Sequence, residues 1–314
     1  KNILKTVQKV EVKLAEGTIK QWNLALGGDL TVNFYANLQV QDLAAVQAVI
    51  SVVDKTVTFA PTDDVFDAEQ GTYRFSVQIA AAQMTDDIRV QLLYKGVKLW
   101  DETYTVQQYA QYVLGNESMK GYHGLVREML HYGGAAQSYF TYNTGLYANE
   151  GITEGCAAEV PGAAQQEMTV QGQLEGIYFH GATLMFRHKV AVRYYFAVAG
   201  DVKNYTFTEN GIAREAVAKD GLCYVELAGA NPQDWDQASV LTVTDGNGNT
   251  LTISYSPMNY IVRMAAKGTD SIKPLLKAMY NYHLAAKALC GACSPRPIVH
   301  VALKHRLPYS RAYG

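Results

Sequence analysis

Cysteine is scarce in this chain: four among 314 residues, Cys156, Cys223, Cys290 and Cys293, and none before residue 156. Thiols so few make no dense disulfide framework, so stability has to come from a hydrophobic core. Long apolar runs are missing as well. No stretch of ~18 apolar residues occurs, so no segment reads as a membrane span. No signal peptide opens the chain, which begins at Lys1 without an initiator Met and reads as a processed or excised fragment. The signatures of common chemistries are also lacking: no G-x-S-x-G elbow, no H-E-x-x-H pair and no Walker-type phosphate loop. An excess of positive charge is absent from the body of the chain. Lys/Arg against Asp/Glu stands at 12 to 16 over residues 1–150 and 11 to 13 over 151–289, with 4 to 0 in the tail 290–314. Mildly acidic bodies argue against nucleic acid as the partner, because phosphate binding needs clustered cations on a folded face.

What is present is a globular composition, 48% apolar and 18% charged, with length enough for two domains. Tyrosine is abundant, at 22 residues. A hydroxylated ring suits half-buried or partner-contacting surfaces, and it also suits a β-rich fold.

The chain reads as an internal duplication. Residues 125–137 (LVREMLHYGGAAQ) and 275–287 (LLKAMYNYHLAAK) are identical at Leu125/Leu275, Met129/Met279, Tyr132/Tyr282, Ala135/Ala285 and Ala136/Ala286. Leu125, Met129, Tyr132 and Ala136 fall at i, i+4, i+7 and i+11, one face of a helix, and the second set does the same. A shorter helix precedes each, at YTVQQY (104–109) and YSPMNY (255–260). Thr105 and Ser256 stand at the N-caps, Pro257 at the first helical position, and Gly115 and Gly268 at the stops.

Strands come before the helices. Alternating apolar sets occur at Val10/Val12/Leu14, Leu30/Val32/Phe34, Val57/Phe59 and Tyr73/Phe75/Val77, then at Val192/Tyr194/Phe196/Val198, Tyr205/Phe207 and Tyr224/Val225/Leu227. Hairpins are predicted around Lys95-Gly96 and from Asp245 to Asn249. This order predicts an α+β, mainly β fold: two tandem antiparallel β-sandwich-like units, each closed by a C-terminal pair of short helices. Unit 1 spans 1–148 and unit 2 spans 168–289, joined by a Gly/Ala-rich linker over 149–167 and followed by the basic tail.

Candidate sites are sparse. Cys290-x-x-Cys293 with His300 and His305 has zinc-like spacings, but the loop between the pairs is too short for a standard finger. Asp245-Gly-Asn-Gly-Asn249 resembles the start of a calcium loop, but Ser256 stands where the twelfth-position carboxylate belongs, so a hairpin turn is expected. The adjacent carboxylates Asp63-Asp64, Asp86-Asp87 and Asp101-Glu102 read as solvated charges, since strand neighbours face opposite sides. A hydrolase pair converging only in the fold stays open. His131 aligns with Asn281 and His283 with Gly133, so the duplicated helices share no histidine. Aromatic residues remain as ligand contacts. Trp235, in the polar stretch ANPQDWDQAS, is expected to be exposed. Trp100 is a further candidate, and the aromatic stretch Tyr139, Phe140, Tyr142 and Tyr147 reads as a contact patch or a packed seam between the units. No cofactor and no metal is expected.

The stretches LTVNFY (30–35), FSVQIAAAQMTDDIRVQLLYKG (75–96), YTVQQYAQYVLGN (104–116) and LVREMLHYGGAAQSYFTYN (125–143) resemble a module repeated in large secreted or cell-surface proteins of anaerobic, often gut-dwelling Gram-positive bacteria. The resemblance covers residues 24–148 well and 174–289 more weakly. It implies an extracellular or cell-surface location and a non-catalytic binding or adhesion role toward a host secreted protein, immunoglobulin among the candidates, or a glycan. A structural spacer and a glycan-active enzyme are the alternatives.

Overall fold

The fold is described from a computed structural model, which covers residues 15–25, 30–53, 55–162, 167–186, 189–219 and 221–291. The strand expected over Val10, Val12 and Leu14 lies outside what is described, as do Cys293, His300 and His305, which with Cys290 make up the zinc-like set.

The fold is α+β and mainly β, with antiparallel sheets. The first half runs β1 (Glu16–Ala25), β2 (Leu30–Gln39), β3 (Val46–Val52), β4 (Lys55–Phe59), β5 (Phe66–Asp67), β6 (Thr72–Ile79), β7 (Ile88–Tyr94) and β8 (Val97–Tyr104). Helices α1 (Val106–Leu114) and α2 (Lys120–Phe140) follow. The second half runs β9 (Thr169–Gly172), β10 (Ile177–Phe186), β11 (Val190–Val198), β12 (Tyr205–Glu209), β13 (Ile212–Arg214), β14 (Ala216–Lys219), β15 (Leu222–Glu226), β16 (Ser239–Asp245) and β17 (Thr250–Tyr255). It ends with α3 (Pro257–Lys267) and α4 (Lys273–Gly291).

The sheets pair off. Order β1-β2-β6-β5 has the connectivity of β10-β11-β15-β14, and β4-β3-β7-β8 that of β13-β12-β16-β17, which carries β9 as a fifth strand. Even the irregularities agree: β1 slips register between Ile19 and Gln21, and β10 between Phe179 and Gly181. Inward rings join the two sheets of each half, Phe59 to Phe75 at 5.9 Å in the first and Phe196 to Phe207 at 5.7 Å in the second. In the first half Trp22, fully inside, packs on Phe34, Tyr104 and Tyr109. This continuous burial is the main favourable term in folding.

The local signals explain the element ends. Thr105 caps α1, its Oγ1 accepting from the Gln108 amide while the Gln108 side chain accepts from the Thr105 amide. Ser256 and Asn259 repeat the arrangement at α3. These reciprocal bonds satisfy first-turn amides that lack helical partners. The Lys95-Gly96 turn has φ of 49° and 78°, the left-handed pair that lets strands twist through a two-residue loop.

Two expectations are corrected. The second helices are not short: α2 has 21 residues and α4 has 19. On β15 the inward residues are Cys223 and Val225, and Leu227 just past its end is buried too. Tyr224 points the other way, its ring 4.0 Å from the Arg193 guanidinium carbon, and Arg193 pairs with Glu226.

The halves pack through α2 and α4. Tyr132 and Tyr282, the aligned tyrosines of the two helices, stack on each other at 5.8 Å and 23°. The stretch after α2 is tied across both helices. The Cys156 amide donates to Glu128, and His131 Nε2 donates to the Glu154 carbonyl. The Ala158 amide and carbonyl then bond the side chain of Asn281, the residue aligned with His131.

Candidate functional site

Trp235 is not exposed. It is 2% accessible and sits edge-on to both Tyr132 and Tyr282 at 6.0 Å, its indole N–H donating to the Ala230 carbonyl at 3.1 Å. The polar residues around it form a 3-10 turn, Pro232–Asp234, that carries the ring under α4. The cause is non-local: the rings that bury Trp235 belong to helices in both halves.

Of the other predicted contacts, Trp100 is half-buried on β8 and its indole faces the Tyr104 hydroxyl at 3.3 Å. Tyr142 reaches back to Asp86, its hydroxyl 2.5 Å from Oδ2. Burial holds the Asp86 carboxyl above its ordinary range, with the Tyr142 bond opposing. Tyr147 is exposed, and its carbonyl accepts from Gln107.

Tyr139 is the predicted residue that joins a surface cluster. It is 37% accessible at the end of α2, and its ring lies 4.9 Å from that of Phe140, itself 46% accessible. Phe140 meets Phe186 of β10 edge-on at 6.0 Å, and Phe186 meets Tyr260 of α3 at 6.5 Å. Arg263 ends the row, its guanidinium carbon 5.7 Å from the Tyr260 centroid and its Nη2 donating to the Ala182 carbonyl. The row starts in the first half and finishes in the second, so it is assembled where the halves meet. Phe140, like Tyr139, belongs to the aromatic stretch the sequence marks as a patch or seam, whereas Phe186 and Arg263 escape a reading of the sequence because nothing local brings them to it. α2 is aimed there by its own ending: Thr141 takes the left-handed conformation at φ 52° and turns the chain back.

The titratable candidates are occupied elsewhere. Asp101 binds Arg89 and Lys98, and the Arg89 guanidinium holds its carboxyl well below the usual carboxylate range. His123 bonds the carbonyls of Val113 and Asn116, and His283 donates through Nδ1 to Pro232 at 2.7 Å. The His131 ring is bonded at both nitrogens, Nδ1 to the Asn149 side-chain amide and Nε2 to the Glu154 carbonyl. Asp245 accepts the amides of Asn247 and Asn249, a turn rather than a metal loop. Among the described residues no three His, Cys, Asp or Glu side chains gather as a metal site. No described helix is long and apolar enough to cross a membrane. No protein-family model matches the chain, and no curated protein matches it either.

Proposed function

We propose that the chain is a non-catalytic binding module of an extracellular or cell-surface bacterial protein, made of two tandem copies of one sandwich-like unit with its helical pair. The accessible members of the row, Tyr139, Phe140, Phe186 and Arg263, are the contact surface, with buried Tyr260 as their support. A host secreted protein or a glycan is the partner. One observation carries the reading: two adjacent large rings, Tyr139 and Phe140, stay accessible at the junction while Trp22 and Trp235 are spent on packing. Exposed aromatic residues beside an arginine are what binding hot spots are made of. The matching connectivity of the two halves supports the tandem part of the reading.

The test is to screen the purified chain against a glycan array and a panel of host secreted proteins, then repeat any hit with Phe140→Ala and Tyr139→Ala. A hot-spot ring costs about 2 kcal/mol or more on truncation, so a real partner loses at least about thirtyfold in affinity. Silence on both panels, or a hit indifferent to both substitutions, sinks the reading. The chain segment bonded across α2 and α4 favours a second reading, a rigid spacer, for which silence is the expected result.

A further inference from the structure

The end of the junction row is built differently from its counterpart in the first half. There three rings surround one indole, with Trp22 packed on Phe34, Tyr104 and Tyr109. Matching the two strand bulges sets Trp22 against Ala182, and matching the two helix caps sets Tyr109 against Tyr260. Tyr260 meets Phe186 and the Arg263 guanidinium rather than an indole, and Arg263 donates to the Ala182 carbonyl at 3.4 Å. At the place of Arg263 the first half has Tyr112, a half-buried ring instead of an exposed cation.

Arg263 is exposed, and among the described residues no Asp or Glu pairs with it. A guanidinium carries five N–H donors in a planar fork, and here the Ala182 carbonyl takes one of them. Such a fork accepts a carboxylate or a sulfate through parallel charge-assisted bonds. The charge of the whole chain narrows the kind of anion. Both bodies carry more acid than base, so a strongly acidic protein surface is repelled at long range. A single acid group on an otherwise neutral ligand meets only the local cation. The rings beside Arg263 present negative faces to the C–H edges of a sugar.

We infer that the junction row binds a glycan that ends in an acidic sugar, with the acid group on Arg263 and the adjoining sugars on Phe186 and Phe140. The inference rests on the contact-surface reading above and narrows its partner from any host protein or glycan to an anionic glycan.

The test is calorimetric titration of the full chain with 3′-sialyllactose, 3′-sulfolactose and lactose, which share one disaccharide and carry a carboxylated sugar, a sulfate or no acid. At least one acidic form should bind about tenfold more tightly than lactose or better, and the two together tell which acid is read. That binding should weaken as salt is raised. Arg263→Gln should bring the acidic form down to the level of lactose while the melting temperature stays that of wild type, because the side chain is exposed. Silence from both acidic forms at millimolar concentration, lactose binding as well as either, or an affinity indifferent to Arg263→Gln overturns the inference. A host protein that binds through Tyr139 and Phe140 after its glycans are removed enzymatically also overturns it, and leaves the contact-surface reading standing. Absence of any partner, protein or glycan, is the failure of that reading itself.

Discussion

Single residues in this chain are defined less by their neighbours in sequence than by what arrives from the other half. Trp235 is the clearest case. Nothing in ANPQDWDQAS marks it as buried, because the burying rings come from Tyr132, about a hundred positions earlier, and Tyr282. Trp235→Ala should therefore cost ~3–5 kcal/mol in a urea melt, where a surface tryptophan would cost almost nothing. Asp86 and Asp101 give opposite acid responses. Asp86 has a raised folded-state pKa, so the folded chain holds that proton more tightly than the unfolded one does. Its contribution is fully present below the ordinary value of 3.8 and is lost as pH rises through the folded value. Asp101 is depressed, so its contribution is present above 3.8 and is lost as pH falls further. Melting temperature followed against pH should show Asp86→Asn removing a loss on the rising side and Asp101→Asn removing a loss on the falling side. Coincident profiles for the two variants would contradict the assignment.

At the scale of elements the sequence is most informative where the causes are local. Thr105, Ser256, Pro257, Gly115 and Gly268 all stand at the helix ends expected of them, because a cap is decided within four residues. Strands β1 and β10 are much harder to read. Each carries a bulged residue, Lys20 or His180, and one extra residue in mid-strand shifts the alternation from one face to the other. The glycines of α2 separate helix propensity from packing. A methyl group at Gly124 meets nothing within 4 Å, so Gly124→Ala should stabilise by up to ~1 kcal/mol. A methyl group at Gly133 lands 2.9 Å from the Ala148 Cβ and 2.6 Å from the Met84 sulfur, so Gly133→Ala should destabilise by ~1–3 kcal/mol. The contrast can be read in one pair of chemical denaturation curves. At the aligned place in α4 stands His283, bonded to Pro232. The same helix position is thus closed by a glycine on one side of the molecule and by an imidazole on the other.

For the whole molecule, the mainly β class was legible from the order of alternating and helical segments, while the contact between the halves was not. Tyr132 and Tyr282 are readable as one aligned pair, but only the three-dimensional arrangement turns that identity into a stack of one on the other. A double-mutant cycle on Tyr132→Ala and Tyr282→Ala should return a coupling of ~0.5–1.5 kcal/mol, and additive effects would deny the contact. Tyr139 was open to reading as a contact residue. The full row was not, since Phe140 and Phe186 meet only across that contact. The segment bonded by Glu128, His131 and Asn281 has a practical meaning for anyone who cuts the gene. A fragment stopped at residue 148, where composition suggests a boundary, strands the bonding groups of Glu128 and His131 with nothing to hold. One stopped at 160 keeps them and carries away the chain that Asn281 needs. Neither cut leaves two clean pieces, and a recombinant fragment judged by its behaviour alone would report the wound rather than the protein.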